Sequence, residues 1–173
     1  MLTLPTRPAK IGGSINTRTE KHGDDDVAAL DIPLEFLLEP DELCAILKTE
    51  DAAARLFTGA FNHELKRVEF QAPAIGTIKS LALDGKIEGA RVLLGFDSLN
   101  GRVDLELIDA KVAKVRLELV FGGRTRCSCS IQTTPDFDQA LMQLFAHMGG
   151  DCELTITSET WGSQGELKLG GAE

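Results

Sequence analysis

A strand that runs into a helix starting with Pro-Asp occurs twice in this chain, 95 residues apart. The first strand leads to Pro40-Asp41 and the second to Pro135-Asp136. At this offset the apolar positions of the two copies coincide: Ile32 falls on Cys127, Leu34 on Cys129, Phe36 on Ile131, Ile46 on Leu141 and Leu47 on Met142. A duplicated hairpin-plus-helix unit predicts a pseudo-symmetric core that is rich in β-sheet.

The length and composition fit one globular domain. The chain has 173 residues, of which 43% are hydrophobic and 26% charged, which is the usual balance for a folded domain. It contains eight Phe, one Trp and no Tyr, so the core has to be built mainly from aliphatic side chains. We predict a flexible lead-in over residues 1–9 and a single β-rich α+β domain over residues 10–170.

The net charge and the hydropathy pattern bear on binding partners and on cellular location. The net charge of −9 disfavours non-specific attraction to nucleic acid or to anionic lipid. No segment approaches the roughly 18 apolar residues of a membrane-spanning helix, and the first residues contain no apolar stretch of signal-peptide length. We expect a cytoplasmic protein without membrane contact.

The first hairpin is predicted from a strand near Lys10–Arg18, a polar loop and an alternating strand over Val27–Leu38. Pro33 lies on the outward parity of the second strand. Because proline cannot donate to a ladder, we predict that this strand lies at a sheet edge. An exposed edge is a place where another chain can pair, which makes a homo-oligomer possible, although proline itself blunts such an edge.

Two further hairpins are predicted from alternating strands on either side of turn residues. Asn100-Gly101 is a preferred two-residue connection and places Phe96 opposite Leu105. A three-residue loop over residues 122–124 places Leu119 opposite Cys127 and keeps both apolar sets on one face, whereas a two-residue Gly-Gly loop would mix the faces. We therefore predict an odd-numbered loop with glycine in the left-handed conformation.

Three segments have helical features. A helix is predicted to begin at Pro40, with Leu43, Ile46 and Leu47 on its apolar side, and a second helical piece is predicted over Glu50–Phe57. The strongest helical pattern runs over Pro135–Met148, with a buried stripe at Phe137, Leu141, Leu144, Phe145 and Met148. Further strands are predicted around Val68–Phe70, Ile78–Leu83, Cys152–Thr157 and Glu166–Leu169. The total is eight or nine strands with two or three helices, which is an α+β class.

Motifs for chemistry are few. The sequence contains no GxSxG, P-loop or GxGxxG motif, and its three histidines have no partner at ligand spacing. Cys127 and Cys129 point to the same strand face, but a zinc site would need two more ligands. We predict four buried, unpaired thiols, no metal or other cofactor, no catalytic residue and a non-enzymatic protein.

One segment of the chain is basic although the net charge of the protein is negative. Residues 111–126 contain five bases and a single acid, Glu118. Lys114, Arg116 and Arg126 are predicted on the solvent face of the third hairpin and Arg124 at its tip, and Arg18 and Lys21 occupy the corresponding region of the first hairpin. Such a face can track a phosphate backbone. The alternative is a solvated face that is paired with neighbouring acids, and we see no stacking aromatic on it.

The opposite charge is concentrated at Asp24, Asp25 and Asp26. The ordered ligand pattern of a calcium-binding loop is missing, so we interpret this run as a solvated loop tip. It is also a candidate surface for a protein partner.

The stretch Lys10–Asp31 resembles a small family of uncharacterised proteins from tailed bacteriophages and prophages. The resemblance rests on Asn16, Arg18, Glu20, His22 and Gly23, followed by an acidic loop and an alternating strand, and is supported by residues 107–112 and the hairpin after them. It implies an early, non-virion phage gene of the kind that lies among replication and recombination functions, and a location in the host cytoplasm.

Three functions are consistent with these features. The first is a non-enzymatic accessory protein of phage DNA replication or recombination that contacts single-stranded DNA or a replication protein through the basic residues. The second is an acidic inhibitor that binds a host defence protein or nuclease. The third is a structural component of the virion.

Overall fold

The chain forms ten strands and three helices in a computed structural model, which describes residues 2–22, 25–74, 76, 78, 80–98, 101–134 and 139–159. The strands are β1 Leu2–Ile11, β2 Asn16–His22, β3 Asp25–Leu38, β4 Phe57–Asn62, β5 Arg67–Pro73, β6 Ser80–Ala82, β7 Ile87–Ser98, β8 Gly101–Leu119, β9 Thr125–Thr133 and β10 Asp151–Ser158. The helices are α1 Pro40–Leu47, α2 Ala52–Leu56 and α3 Gln139–Ala146. The predicted β-rich α+β class is confirmed.

Six antiparallel strands form a closed ring in the order β1, β10, β7, β8, β9 and β3, because β3 pairs back with β1. β2 extends the sheet from the first half of β3, and β6 pairs with the last part of β8. Closure removes the free edges that β1 and β3 would otherwise expose. Alternate side chains point inward, and the interior is aliphatic, as predicted: Leu30, Ile32, Leu94, Leu107, Leu117 and Ile131 are fully buried.

The 95-residue echo has a geometric counterpart. Leu34 and Cys129, which the offset superposes, are paired with each other across β3 and β9. A local twofold axis between them exchanges the pair Ile32–Ile131 with the pair Phe36–Cys127. β3 leads into α1 and β9 into the segment before α3, so the two helices cover opposite ends of the ring. They insert apolar side chains into the core at Leu43 and Ile46 of α1 and at Leu141 and Leu144 of α3.

α1 is tied to the sheet by an arginine. The Glu39 backbone N–H donates to the Glu42 carboxylate at 2.9 Å, and Pro40 begins the helix at a position where no N–H is needed. Arg7 on β1 donates to the same carboxylate at 2.6 Å and to the Leu37 carbonyl at 3.0 Å. Burial opposes ionisation of Glu42, but the hydrogen bonds from Arg7 and Glu39 outweigh it and lower the pKa of this carboxyl.

The predicted flexible lead-in is wrong, because residues 2–9 form most of β1. Leu4 and Ile11 are buried in the core, and the strand pairs with β10 along most of its length. Pro5 is tolerated because the pairing with β10 is irregular between Leu4 and Arg7, and a bulge is one of the few places where a sheet accepts proline. The strand predicted near Lys10–Arg18 is therefore two strands, separated at residues 12–15.

The edge position predicted for Pro33 is also wrong. β3 pairs with β9 on one side, and on the other it pairs with β2 up to Asp31 and with β1 from Leu34. The Pro33 carbonyl accepts from the Gly12 N–H at 2.8 Å, so its missing N–H falls on the side where β3 changes partner. A methyl group at Gly12 would lie 2.8 Å from the Pro33 Cβ, and this close approach explains the glycine.

Both predicted hairpin registers differ from the structure by two residues and keep the predicted faces. In the β7–β8 hairpin Ser98 pairs with Gly101 and Phe96 with Val103. Gly101 has a φ of 111°, so the glycine begins the returning strand instead of lying inside the loop. The central turn residue Asn100 lies outside the described residues.

In the β8–β9 hairpin Leu117 pairs with Cys127 and Leu119 with Thr125. The loop is odd-numbered, with Gly122 and Gly123 at positive φ, and both predictions are confirmed. It begins one residue earlier than predicted, because the Val120 N–H donates to the Arg124 carbonyl at 3.0 Å and encloses a single 3-10 turn over Phe121–Gly123.

The middle of the chain contains a strand that the sequence did not reveal. The helical piece predicted over Glu50–Phe57 ends at Leu56, and the chain continues into β4, which pairs with β5 as a separate two-stranded ribbon. The strand predicted at Val68–Phe70 lies within β5, and β6 falls within the one predicted at Ile78–Leu83. The alanine run favours helix locally, and the ribbon has little buried alternation to indicate strands.

The C-terminal predictions are confirmed in part. α3 buries Leu141 and Leu144, whereas Met148 is 43% exposed and does not belong to the apolar stripe. β10 contains the strand predicted at Cys152–Thr157; residues 135–138 and the strand predicted at Glu166–Leu169 lie outside the described residues. The four thiols are unpaired, as predicted; Cys44 is half-buried and the other three are buried.

Candidate nucleic-acid interface

The outward side chains of four adjacent strands, β2, β3, β9 and β8, form what we call the charged face. Backbone pairing aligns these strands in rows, one of which joins Asn16, Asp31, Gln132 and Lys111. The face carries Arg18, Glu20, Asp31, Glu35, Lys114, Arg116, Glu118, Arg126, Ser128 and Gln132. Four of the six predicted basic residues, Arg18, Lys114, Arg116 and Arg126, therefore lie on one surface together with acids from distant parts of the sequence. Lys21 has the opposite strand parity to Arg18, and Arg124 follows the turn after β8.

Asp31 is the centre of the first half of this face. Asp31 is only 9% exposed, and its carboxylate accepts hydrogen bonds from Arg18 Nε at 2.8 Å and Gln132 Nε2 at 3.2 Å. Lys114 Nζ lies 3.9 Å from the other oxygen. Arg18 also pairs with Glu20. Hydrogen bonds to Asp31 and then to Glu20 raise the pKa of Arg18, so both Arg18 and Lys114 are engaged within the protein.

Arg126 is similarly engaged in the second half. Its Nη1 donates to Glu118 Oε2 at 2.8 Å across the β8–β9 ladder, and its Nε lies 3.4 Å from Glu35 Oε1 on β3. One guanidinium between two carboxylates leaves a net negative charge at this point.

Arg116 on the charged face and Arg124 in the adjoining turn differ from Arg18 and Arg126. Both are exposed, and neither makes an ion pair with another described residue. Arg116 lines a groove of about 250 Å³ together with Glu35, Ser80, Glu118, Arg126 and Ser128. Arg124 follows the 3-10 turn at the end of the β8–β9 hairpin. Lys21, near the end of β2, is also exposed.

The same turn presents an aromatic ring, Phe121, which the alternation of Val115, Leu117 and Leu119 would place on the inward face. Phe121 is 78% exposed, because β8 ends at Leu119 and the alternation does not continue into the turn. An exposed aromatic next to arginine is the combination that single-strand binders use, with the ring stacking on a base and the cation close to the backbone. The sequence indicated no stacking aromatic on the hairpin face, and this ring lies in the turn beyond that face.

The predicted acidic surface is only partly described. Asp24 lies outside the described residues, Asp25 begins β3 opposite His22, and Asp26 is exposed opposite Lys21. The loop is therefore shorter than predicted. In the described part of the chain no three His, Cys, Asp or Glu side chains converge as metal ligands would.

Comparison of the chain with protein-family models, curated proteins and solved structures found no match. None of the helices in the described ranges has the length and apolar character needed to cross a bilayer.

Proposed function

We propose that this chain is a non-enzymatic accessory binding protein of phage DNA replication or recombination, and that it contacts single-stranded DNA at the turn of the β8–β9 hairpin. The observation that carries the proposal is the exposed ring of Phe121 beside Arg124, which makes no ion pair with any other residue that the structure describes. The phage setting rests on the resemblance of Lys10–Asp31 described above.

The contact has two parts. Phe121 stacks on a base, a type of contact that tolerates any sequence. Arg124 and Arg116 bind the backbone, since a guanidinium presents a fork of donors that matches phosphate oxygens. Ser80 and Ser128 add hydroxyl donors beside Arg116. The remaining predicted bases contribute less, because Arg18, Lys114 and Arg126 already neutralise acids of the face.

Fluorescence anisotropy with a labelled oligo-dT of about 15 nucleotides, within the site sizes of single-strand binders, tests the proposal. We expect binding at about 50 mM salt that weakens as salt rises. Phe121→Ala should reduce the affinity by about 5- to 150-fold, the value of one lost stacking contact. Arg116→Ala should lower the slope of log K against log salt by about 0.7, the value of one lost phosphate contact on a single strand.

Two matched variants serve as controls. Arg91→Ala removes an exposed arginine of β7 that is paired with Glu106 away from the charged face, and Arg18→Ala removes one that is committed to Asp31. Both should bind oligo-dT nearly as the unchanged protein does. The proposal is refuted if no binding is detected at about 50 mM salt, where phosphate contacts are strong, or if Phe121→Ala behaves like Arg91→Ala.

A further inference from the structure

The β4–β5 ribbon has one apolar and one polar face. The pairs Gly59–Phe70 and Phe61–Val68 share the apolar face, because paired residues of an antiparallel ladder point the same way. At its base this face is covered, since Phe70 packs on Gly123. Towards the tip Phe61 is 54% and Val68 48% exposed. The apolar face of the ribbon therefore extends past the turn that covers its base, and its outer part is exposed to solvent.

β5 also has an unpaired side next to an open groove. Only β4 pairs with β5 among the described strands. Along β5 runs a groove of about 700 Å³, lined by residues 67–71 and, across it, by Glu39, Pro40, Asp41 and Gly122. A strand added to a sheet lies about 4.8 Å from its neighbour, so the groove can accept an extended segment. Its far wall is acidic, and an occupant with basic and apolar residues fits it.

β5 is itself such a segment. The sequence around it, Lys66-Arg67-Val68-Glu69-Phe70, carries two bases followed by alternating apolar residues. When two copies of β5 are placed antiparallel with Val68 of each at the centre, Arg67 of one copy lies opposite Glu69 of the other, and the reverse pair forms by symmetry. Arg67 and Glu69 are exposed on the polar face, with 4.0 Å between their charged atoms, and are available for this cross-strand contact.

We propose that the groove is filled by β5 of a second copy of this chain, which makes a twofold-symmetric dimer through a β4–β5–β5–β4 sheet. A twofold interface uses the same patch on both subunits, so one strand must complement itself, as β5 does in charge. The two Val68 side chains meet at the axis and cover each other. The bases of each copy approach the acidic wall formed by Glu39 and Asp41 of the other. This dimer does not depend on the proposed DNA contact.

The charge pattern gives a direct test by sedimentation equilibrium. The chain has a mass of 18.7 kDa, and we expect a dimer of twice that mass. Arg67→Glu and Glu69→Arg each place like charges opposite one another in both symmetry-related pairs, and each should weaken dimerisation about tenfold. The double variant Arg67→Glu/Glu69→Arg restores opposite charges across the axis and should restore the dimer. Arg91→Glu is the matched control and should leave the mass unchanged.

Three outcomes would overturn the proposal. One is a protein that is monomeric at about 100 µM. Another is a dimer whose dissociation constant is the same in Arg67→Glu, in Glu69→Arg and in the unchanged protein. The third is a monomer whose β5 amides become protected only when a synthetic peptide of alternating Lys and Val is added, which would assign the groove to a different protein. Oligo-dT binding is measured separately, so failure of the dimer and failure of the DNA contact are distinguishable.

Discussion

Two adjacent glycines in the β8–β9 turn provide a sharp test of how the ribbon is attached. Gly122 and Gly123 have φ values of 79° and 75°, so an alanine at either position carries the same backbone cost of about 1–2 kcal/mol. They differ in their surroundings. A methyl group at Gly122 would meet nothing within 4 Å, whereas one at Gly123 would lie 2.4 Å from the Phe70 Cβ.

The contact at Gly123 cannot be relieved by a rotamer change, because the Phe70 Cβ is fixed to the β5 backbone. The ribbon would have to move by about 1 Å or more to reach an ordinary carbon–carbon distance of 3.5–4.0 Å. Overpacking of this kind costs about 1–3 kcal/mol. We therefore expect Gly123→Ala to lose about 1–3 kcal/mol more than Gly122→Ala, because the ribbon has to move off the turn to relieve the clash.

Urea unfolding measures the difference in stability, and amide hydrogen exchange measures detachment. Gly122→Ala should keep the protection of β4 and β5, and Gly123→Ala should lose it while the ring of six strands stays protected. If the two variants lose equal stability and keep equal protection, the packing of Phe70 on Gly123 is not as described.

Three further predictions concern individual side chains. Glu42→Gln should lower the free energy of unfolding by about 1.5–3 kcal/mol at pH 7, the value of a hydrogen bond to a charged group. Because the fold lowers the pKa of Glu42, the carboxylate stabilises the protein fully above the ordinary carboxyl pKa, and this stabilisation is lost as the pH falls through the lowered pKa. Urea unfolding at pH 3 should therefore show a smaller difference in stability between Glu42→Gln and the unchanged protein. Cys44 should be the only one of the four thiols to react quickly with a thiol reagent in the native protein at pH 8, since burial, together with the nearby Asp151 charge, raises the pKa of Cys152 to about 11; fast reaction of two or more would contradict the packing. Asp31→Ala should destabilise the fold by about 1–3 kcal/mol. It should also release Arg18 and Lys114 from their ion pairs and so strengthen oligo-dT binding in the anisotropy assay. Unchanged or weaker binding would contradict the idea that Asp31 keeps these two bases from contacting DNA.

The strands β3 and β9 could be predicted because each buries one face and exposes the other. Their alternation therefore survives in the sequence, and it placed Leu34 and Cys129 correctly in the core. β1 could not be predicted in this way. Its prolines are typical of a loop, and only the irregular pairing with β10 between Leu4 and Arg7 makes room for Pro5 in a strand.

The candidate site was visible in the sequence only in part. The bases of β8 and β9 are close together in the chain, so they could be assigned to one face. The acids that neutralise them, among them Asp31 and Glu35, come from β3 about 90 residues earlier. Only the pairing of β3 with β9, two strands far apart in the sequence, brings these acids to the same face. The exposure of Phe121 could not be predicted, because its position continues the alternation of β8, whereas the strand ends at Leu119 and Phe121 begins the turn.

The contact with single-stranded DNA is tested most directly by an NMR titration of the protein with oligo-dT at about 50 mM salt. We predict that the amide shifts that change most belong to residues 120–124 and to Arg116, with little change along β2. Changes centred on the Asp26 end of β2 and β3, or no changes at all, would contradict the account.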